Sequence, residues 1–169
     1  MVTKKAALAV GLGRVPNVLT AIFLLTFGIN PAFADAVISG PSCVIDGNTV
    51  QIGSKLKDGK CWGGIDVRLH GSVAPGLKDT CTRRDGTKWA CGKAAKDALS
   101  TMIKQYSISC FHIDGEFVDK TPVVTCISGR LDLALELVKR GMAKALHDQS
   151  KRYELEETDA KRAPRGIWK

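Results

Sequence analysis

Residues 43–76 read CVIDGNTVQIGSKLKDGKCWGGIDVRLHGSVAPG, and this stretch decides the fold. Apolar and polar residues alternate on either side of Asp46-Gly47, a dipeptide typical of a tight turn between antiparallel strands. A third alternating run precedes Pro75-Gly76, a turn signal that ends the strand. The polar, glycine-rich residues 54–64 between the second and third runs indicate a long loop. These runs predict three strands, at about residues 42–46, 48–53 and 65–70.

Helix and strand patterns follow one another in the rest of the chain. From Trp89 to Gln105, small and apolar residues recur at three- and four-residue spacing, which predicts a helix, and Thr87 is a candidate for its N-cap. Asp114-Gly115 is a predicted turn between two further strands. These strands lie at about residues 107–113 and 123–127, and two more helices at about 131–140 and 151–163. The order β-β-β-α-β-β-α-α predicts an α+β fold, mostly β, in which five strands form an OB-fold barrel with three helices.

The first 34 residues have the composition of a secretory signal peptide. A basic start with Lys4, Lys5 and Arg14 precedes an apolar run, and Ala32-Phe33-Ala34 matches an A-x-A cleavage pattern. An uncleaved membrane anchor is disfavoured because the run is shorter than the ~20 apolar residues of a spanning helix. We therefore predict a signal peptide over 1–34, a single domain over 35–169, and a secreted or periplasmic protein without stable membrane insertion. Cleavage removes three basic residues and no acidic one, so the formal net charge falls from +8 to +5.

All six cysteines lie in the predicted mature part. An even number of cysteines behind a signal peptide indicates disulfides formed in an oxidising compartment. Many pairings are possible, and we favour the sequential one because each bond then closes a short local loop. A zinc site is the competing interpretation, although neither a C-x-x-C pair nor a nearby H-x-x-x-H accompanies the cysteines. The predicted bonds are Cys43–Cys61, Cys81–Cys91 and Cys110–Cys126.

Five segments along the chain carry a set of motifs in a fixed order. Residues 45–50, IDGNTV, resemble the hairpin pattern I-D-G-D-T-V, and Val67-Arg68-Leu69 with Ala74-Pro75 resembles R-L-x-x-x-D-A-P-E. The other three segments are WACGKAA at 89–95, LVKRGMA at 137–143 and GIW at 166–168, which resemble W-x-C-G-x-x-A, L-V-x-x-G-x-A and G-x-W. Taken together, residues 43–168 resemble the staphylococcal-nuclease-like, or thermonuclease, domain family in its secreted form.

Active members of this family are calcium-dependent phosphodiesterases that act on DNA and RNA, so the resemblance implies five site positions. Two aspartates hold the metal, a glutamate orients the attacking water and two arginines bind the phosphate. Matched by motif, these positions fall on Asn48 and Val73, on Gly76, and on Arg68 and Thr121. Only Arg68 is retained. We therefore predict no intact catalytic residue, no metal ligand and no cofactor, with calcium needed only if the chain is an active nuclease.

Three functions remain open at this point. We predict a catalytically inactive, nuclease-like module that binds a polymer or a protein partner, because the scaffold motifs are present and the site acids are not. One alternative is an active metal-dependent endonuclease with a rebuilt site. Another is an accessory protein of exopolysaccharide (succinoglycan-type) biosynthesis, since barrels of this type also bind oligosaccharides. The expected ligand is a nucleic acid or an acidic polysaccharide, the expected state is a monomer, and the candidate polyanion-binding residues are Arg68, Arg83, Arg84 and Lys88.

Several of these side chains also allow more ordinary roles. Arg68 could pack its stem on its strand and pair with a carboxylate such as Asp46, which is itself expected to stabilise its own turn. Trp62 could stack on a base or a sugar, but a cover over the neighbouring disulfide is the favoured interpretation. Trp89 and Trp168 are expected in the core.

Overall fold

Strands contain more residues than helices in the structure, a computed structural model that describes residues 37–103 and 107–169. The predicted signal peptide lies outside the described residues. The strands are β1 (Val37–Gly40), β2 (Ser42–Val44), β3 (Thr49–Ile52), β4 (Lys55–Lys57), β5 (Lys60–Trp62), β6 (Ile65–Leu69), β7 (Ser72–Val73), β8 (Cys81–Thr82), β9 (Lys88–Trp89), β10 (Ile108–Val118), β11 (Thr121–Ser128), β12 (Leu131–Asp132) and β13 (Lys144–Ala145). The helices are α1 (Cys91–Ile103), α2 (Leu133–Lys139) and α3 (Glu154–Arg162), followed by a 3₁₀ turn at Gly166–Trp168. The fold is mixed α and β and mostly strand, with three helices, as predicted.

One main sheet organises the described residues. Its strands are hydrogen-bonded in the order β1-β10-β11-β6-β3-β2, with β12 beside β11. Strands β6 and β11 are parallel, whereas the other neighbours are antiparallel. The five predicted strands correspond to β2, β3, β6, β10 and β11. The sheet is not closed into the predicted barrel, because β1 and β2 are the two ends of the strand order and are not hydrogen-bonded to each other as strands.

The core joins one face of this sheet to the helices. Alternate residues of the strands point into it, because side chains of a strand alternate between its two faces. Val50 and Ile52 on β3 and Val67 and Leu69 on β6 are buried, as the alternation in the sequence predicts. Helices α1 and α2 complete the core with Leu99, Leu133, Leu137 and Val138.

A small hairpin occupies the segment predicted as a loop. Strands β4 and β5 pair around Asp58-Gly59, whose φ angles of 51° and 73° are those of a two-residue hairpin turn. A disulfide from Cys61 to Cys43 fastens the hairpin to the main sheet. Leu56 and Trp62 remain 70 % and 72 % exposed, so Trp62 is not the buried disulfide cover favoured from the sequence.

The predicted turn at Asp114-Gly115 is wrong. Both residues lie inside β10, where the register with β11 shifts between His112 and Phe117 in a β-bulge. The chain reverses instead at Asp119-Lys120, with φ angles of 48° and 67°. The Asp-Gly pair therefore lies within the bulge, and the strand continues past it.

The predicted start of the first helix is also wrong by two residues. Trp89 pairs with Cys81 in the β8–β9 hairpin, so α1 begins only at Cys91. Thr87 lies in the turn of this hairpin, where its N–H and its hydroxyl both donate to Asp85, and it does not cap the helix. Cross-strand pairing thus overrides the helical pattern at its first turn.

The disulfides join Cys43–Cys61, Cys81–Cys91 and Cys110–Cys126, which confirms the sequential pairing. The paired cysteines are 18, 10 and 16 residues apart in the chain. In the chain-entropy model, a loop of this length is worth about 3 kcal/mol per bond. The third bond joins directly opposite residues of β10 and β11 and thereby fixes their register.

Asp132 anchors the C-terminal part of the domain. Its Oδ1 accepts the N–H groups of Ala134 and Leu135 at the start of α2, and its carboxylate accepts the hydroxyl of Tyr153 at 3.1 Å. Tyr153 is fully buried, and burial together with the Asp132 charge raises the pKa of its hydroxyl far above the usual range. The ring packs against Gly71, where a Cβ would lie 2.8 Å from it.

Two glycines let the C-terminal turn dock on the end of α2. Gly141 (φ 66°) follows α2 and Gly166 (φ 52°) opens the turn, and the N–H of Ile167 donates to the carbonyl of Gly141 at 2.8 Å. A Cβ on Gly166 would collide with the carbonyl oxygen of Gly141, and one on Gly141 with that of Arg165. Two of the motifs quoted from the sequence therefore meet in space. None of the described helices combines the length and hydropathy needed to cross a membrane.

The substitution Gly166→Ala should destabilise the protein by about 2–4 kcal/mol, because the left-handed backbone and the collision with Gly141 both oppose a Cβ. The midpoint of urea unfolding measures this loss. Gly86→Ala is the matched control, since Gly86 also has a positive φ (83°) but open space around its Cβ. We expect a loss of only about 1 kcal/mol there; equal losses in both variants would contradict the close contact.

Candidate functional site

The side chain of Asp46 stabilises the turn between β2 and β3 through hydrogen bonds inside the turn. Its Oδ1 accepts hydrogen bonds from the N–H of Asn48 at 2.7 Å and from that of Thr49 at 2.9 Å. Gly47 lies so close to the following segment that a Cβ would approach the Cβ of Ala74 to 2.7 Å. Asp46 therefore stabilises its own turn, as expected, and the turn packs directly on residues 72–76.

Asn48 occupies a position where the resemblance expects a metal aspartate, and its side chain is used for structure. The Nδ2 group donates to the carbonyl of Ala74 at 3.0 Å, while Oδ1 accepts the N–H of Ala74 at 2.6 Å. The side chain is 6 % exposed. The donor and acceptor of Ala74 settle which end of the amide is which. We call this pair of hydrogen bonds the Asn48 clamp.

The other two acid positions lie further along the clamped segment. Val73 is on β7, opposite Lys144 on β13, and offers no oxygen. Gly76 forms a turn with Asp79, in which the N–H of Gly76 donates to Asp79 Oδ2 at 2.8 Å and its carbonyl accepts the N–H of Asp79, also at 2.8 Å. Gly92 at the start of α1 fits against this turn, because a Cβ there would collide with the carbonyl oxygen of Gly76.

Arg68 lies in the row of residues that crosses the middle of the main sheet. It is half-buried on β6, opposite Thr49 on β3 and Val123 on β11. No ion pair involves Arg68 within the part of the chain that the structure describes. Thr121 lies on the same face of β11, two residues before Val123, and offers a hydroxyl where the resemblance expects the second arginine. Of the five positions that the resemblance implies, only Arg68 therefore carries a charged side chain.

The remaining predicted cations lie on the β8–β9 hairpin. Arg83 donates to the hydroxyl of Thr87 at 3.2 Å, and its guanidinium lies 5.3 Å from the ring centre of Trp89. The backbone N–H of Arg84 donates to the carbonyl of Lys169 at 3.1 Å, which ties the hairpin to the C-terminal turn. Lys88 is exposed. Trp89 is half-buried beneath Arg83 rather than in the core.

Asp85 lies at the tip of this cationic hairpin. The hydroxyl and the N–H of Thr87 donate to its carboxylate and hold its pKa below the usual range. The carboxylate is thus charged at neutral pH and offsets part of the positive charge of the hairpin. No hydrogen bond or ion pair among residues 37–103 and 107–169 joins this hairpin to Arg68, so the structure does not gather the predicted cations into one contact network.

The donor set at these positions does not fit a calcium ion. Ca²⁺ takes six to eight oxygen ligands, preferably charged ones, and here the side chains are a clamped amide, an aliphatic group and a hydrogen. Within the described residues, no three His, Cys, Asp or Glu side chains are grouped as metal ligands would be. The predicted positions offer one cation, Arg68, and no carboxylate that could activate water.

Asp79 and a cluster on α3 were not predicted from the sequence. Glu157 is 4 % exposed, and its Oε1 accepts the N–H of Ala145 at 3.1 Å. Its Oε2 accepts Nζ of Lys161 at 2.8 Å and Nε2 of His147 at 3.1 Å, and Nδ1 of His147 contacts Glu154 at 3.2 Å. Only Lys161, four residues after Glu157, had a helical spacing that could have signalled a pair.

The charges of this cluster support one another. Burial acts to raise the pKa of Glu157, but hydrogen bonds from Lys161, Ala145 and His147 outweigh it and hold that pKa below the usual value. Hydrogen bonds to Glu157 and then Glu154 raise the pKa of His147. The cluster fastens α3 to β13.

Comparison of the chain with protein-family models and with curated protein sequences finds no match to either.

Asn48→Asp should destabilise the protein by about 1–3 kcal/mol at neutral pH, because the carboxylate cannot donate to the carbonyl of Ala74 and repels it. The same environment raises the pKa of the introduced carboxyl. A folded-state pKa above the unfolded one favours folding at low pH, so the deficit should shrink as the pH falls toward 4. Urea unfolding of both proteins across this range measures it; a deficit that is constant with pH would contradict the clamp.

His147→Gln should lower stability in a pH-dependent way. Because the folded-state pKa of His147 is raised, its contribution is fully present below the unfolded value of about 6.5 and is lost as the pH rises through the folded value. The difference in unfolding free energy between the two proteins should therefore be larger at pH 5.5 than at pH 8.5. A difference that stays the same at both pH values would show that the charge of His147 does not act on the fold.

Proposed function

We propose that this chain is a secreted or periplasmic staphylococcal-nuclease-like protein of the OB-fold type, which binds an anionic polymer and does not hydrolyse it. The observation that carries the proposal is the Asn48 clamp. Where hydrolysis by this family needs a metal carboxylate, the side chain is engaged with the backbone of Ala74 in two directions. Beside it, Arg68 makes no ion pair among the described residues and is available to an anion.

The strand order supports the fold part of the proposal. An OB-fold places its third and fifth strands side by side, and here the corresponding strands β6 and β11 are parallel neighbours. Strands β1 and β2 lie at the two ends of the sheet and are separated by Pro41 alone. The single segment 37–44 therefore pairs with β10 through its first part and with β3 through its last part. The contact between Gly141 and Gly166, and the contact of Gly92 with the carbonyl of Gly76, explain by packing the motif glycines Gly92, Gly141 and Gly166.

The geometry argues against hydrolysis at this site. Loss of a general base typically costs about 10²–10⁴ in rate, and loss of a charge-stabilising donor about 10²–10³. The nearest acid to Gly76, Asp79, is bonded to the N–H of Gly76 and belongs to the turn. No observation favours a rebuilt nuclease site, so the active endonuclease is not proposed.

The ligand class follows from the cations. The guanidinium of Arg68 can make two parallel hydrogen bonds to a phosphate or a carboxylate. The β8–β9 hairpin adds Arg83, Arg84 and Lys88, and the predicted mature chain has a formal charge of +5. A nucleic acid is the first candidate because Arg68 matches a phosphate-binding position. An acidic polysaccharide of the cell envelope is the second, because three disulfides favour an oxidising compartment.

Arg68→Met should weaken binding of a labelled single-stranded oligonucleotide about tenfold, since a charge-assisted hydrogen bond contributes about 1.5–3 kcal/mol. It should also reduce the slope of log affinity against log salt by about one. Anisotropy titrations at several salt concentrations measure both quantities. Polygalacturonate, tested in the same assay as a competitor, distinguishes the two polymer classes.

Arg162→Met is the matched control, because it removes the same charge from an exposed position on α3 that pairs with Asp159. It should leave the affinity almost unchanged. Equal losses in both variants would reduce the proposal to non-specific attraction by net charge. Calcium-dependent cleavage of the oligonucleotide that disappears in Arg68→Met would overturn the proposal in favour of an active nuclease.

A further inference from the structure

A cleft of about 670 Å³ lies between the β1–β2 segment, the β4–β5 hairpin and helix α1. Its volume is that of a typical small-molecule site. None of the five site positions and none of the hairpin cations Arg83, Arg84 and Lys88 lines it. The cleft is therefore separate from the surface to which the polymer is assigned.

The walls of the cleft are mostly apolar. Pro41 and Val44 line it from the β1–β2 segment, Ile103 from α1, and Leu56 from the hairpin. Leu56 is 70 % exposed, an unusual state for a leucine that faces a concave surface. A ligand in the cleft would cover this side chain, and burial of apolar area is favourable by about 25 cal/mol per Å².

The hairpin wall is held in place before any ligand arrives. The disulfide from Cys61 to Cys43 joins β5 to β2, and Cys43 itself lines the cleft. Leu56 is the cross-strand partner of Cys61. A wall that is already ordered loses little conformational entropy on binding, which favours affinity.

The polar part of the cleft is positively charged. Lys96 and Ser100 lie one turn apart on α1 and both line it. Lys96 is half-buried, and no ion pair involves it in the described chain, whereas Lys93, one turn earlier, pairs with Asp97 at 2.7 Å. No carboxylate appears among the described residues that line the cleft. An ammonium group at the edge of an apolar space favours a ligand with one anionic head and one apolar tail.

We propose that this cleft binds a small amphiphilic anion, of the size and chemistry of a medium-chain fatty acid. The anionic head group of the ligand contacts Nζ of Lys96 and the hydroxyl of Ser100. Its alkyl chain covers Pro41, Val44, Leu56 and Ile103. Binding of this small ligand is additional to the proposed polymer binding and does not depend on it.

Calorimetric titration of the intact, disulfide-bonded protein with monomeric dodecanoate tests the proposal. We expect saturable binding of one dodecanoate per chain, and no binding of dodecyltrimethylammonium, which has the same tail and the opposite charge. Lys96→Met keeps most of the aliphatic stem and should weaken dodecanoate binding about tenfold. Lys93→Met, on the same helix but outside the cleft, should bind as the unmodified protein does.

A second variant keeps the test decisive if Lys96→Met affects folding, which the urea midpoint reports. Leu56→Ser changes an exposed residue and should weaken binding severalfold, because the alkyl chain of dodecanoate then lacks the apolar outer wall of the cleft. Absence of saturable dodecanoate binding, equal binding of the two detergents, or equal losses in Lys96→Met and Lys93→Met would each overturn the proposal. Arg68→Met should leave dodecanoate binding intact, so this test and the polymer test can fail independently.

Discussion

The Asn48 clamp is the interaction on which the arrangement of the site depends. A single short side chain fills both hydrogen-bonding positions of Ala74, which is 26 residues away in the chain. An amide can do this at neutral pH and an ionised carboxylate cannot, because the position requires one donor and one acceptor. Gly47 and Gly92 contribute by having no Cβ where the segments meet. The side chain at this position is therefore used for structure.

Charged side chains elsewhere act in the same structural sense. Asp132 caps the start of α2 and accepts a hydrogen bond from the buried hydroxyl of Tyr153. Glu157 on α3 is almost fully buried and accepts a hydrogen bond from Ala145 on β13. In both cases the carboxylate is surrounded by donors, which offsets the cost of removing it from water. Arg68 and Lys96 differ from these groups, since each is half-buried without an ion pair in the described residues. This difference separates candidate ligand-binding groups from structural ones.

Local patterns in the sequence predicted much of the fold, and long-range contacts account for the errors. The alternation of apolar and polar residues over 43–70 predicted the central strands, and the short spacing of the cysteines predicted the disulfides. Both predictions succeeded because these features depend on residues close together in the chain. The prediction of a turn at Asp114-Gly115 failed because β10 continues through a register shift until Val118 pairs with Thr121, a contact that the residues beside Asp114 do not reveal. In the candidate site, the sequence identified which residue type occupies each position. It did not predict the structural role of Asn48, because nothing in the sequence shows that Asn48 and Ala74 are in contact. Asp79 and His147 carry no motif at all.

The sequential disulfides have a consequence for how the oxidised chain is made. The first cysteine is bonded to the second, the third to the fourth and the fifth to the sixth, at separations of 10 to 18 residues. When the chain emerges amino end first from a ribosome or a translocation pore, both members of each pair come out before the next pair does. An oxidant that simply joins the most recently exposed thiols therefore forms the native bonds. If the thiols are oxidised in this order, the native bonds form without reshuffling, because the order of synthesis selects one pairing.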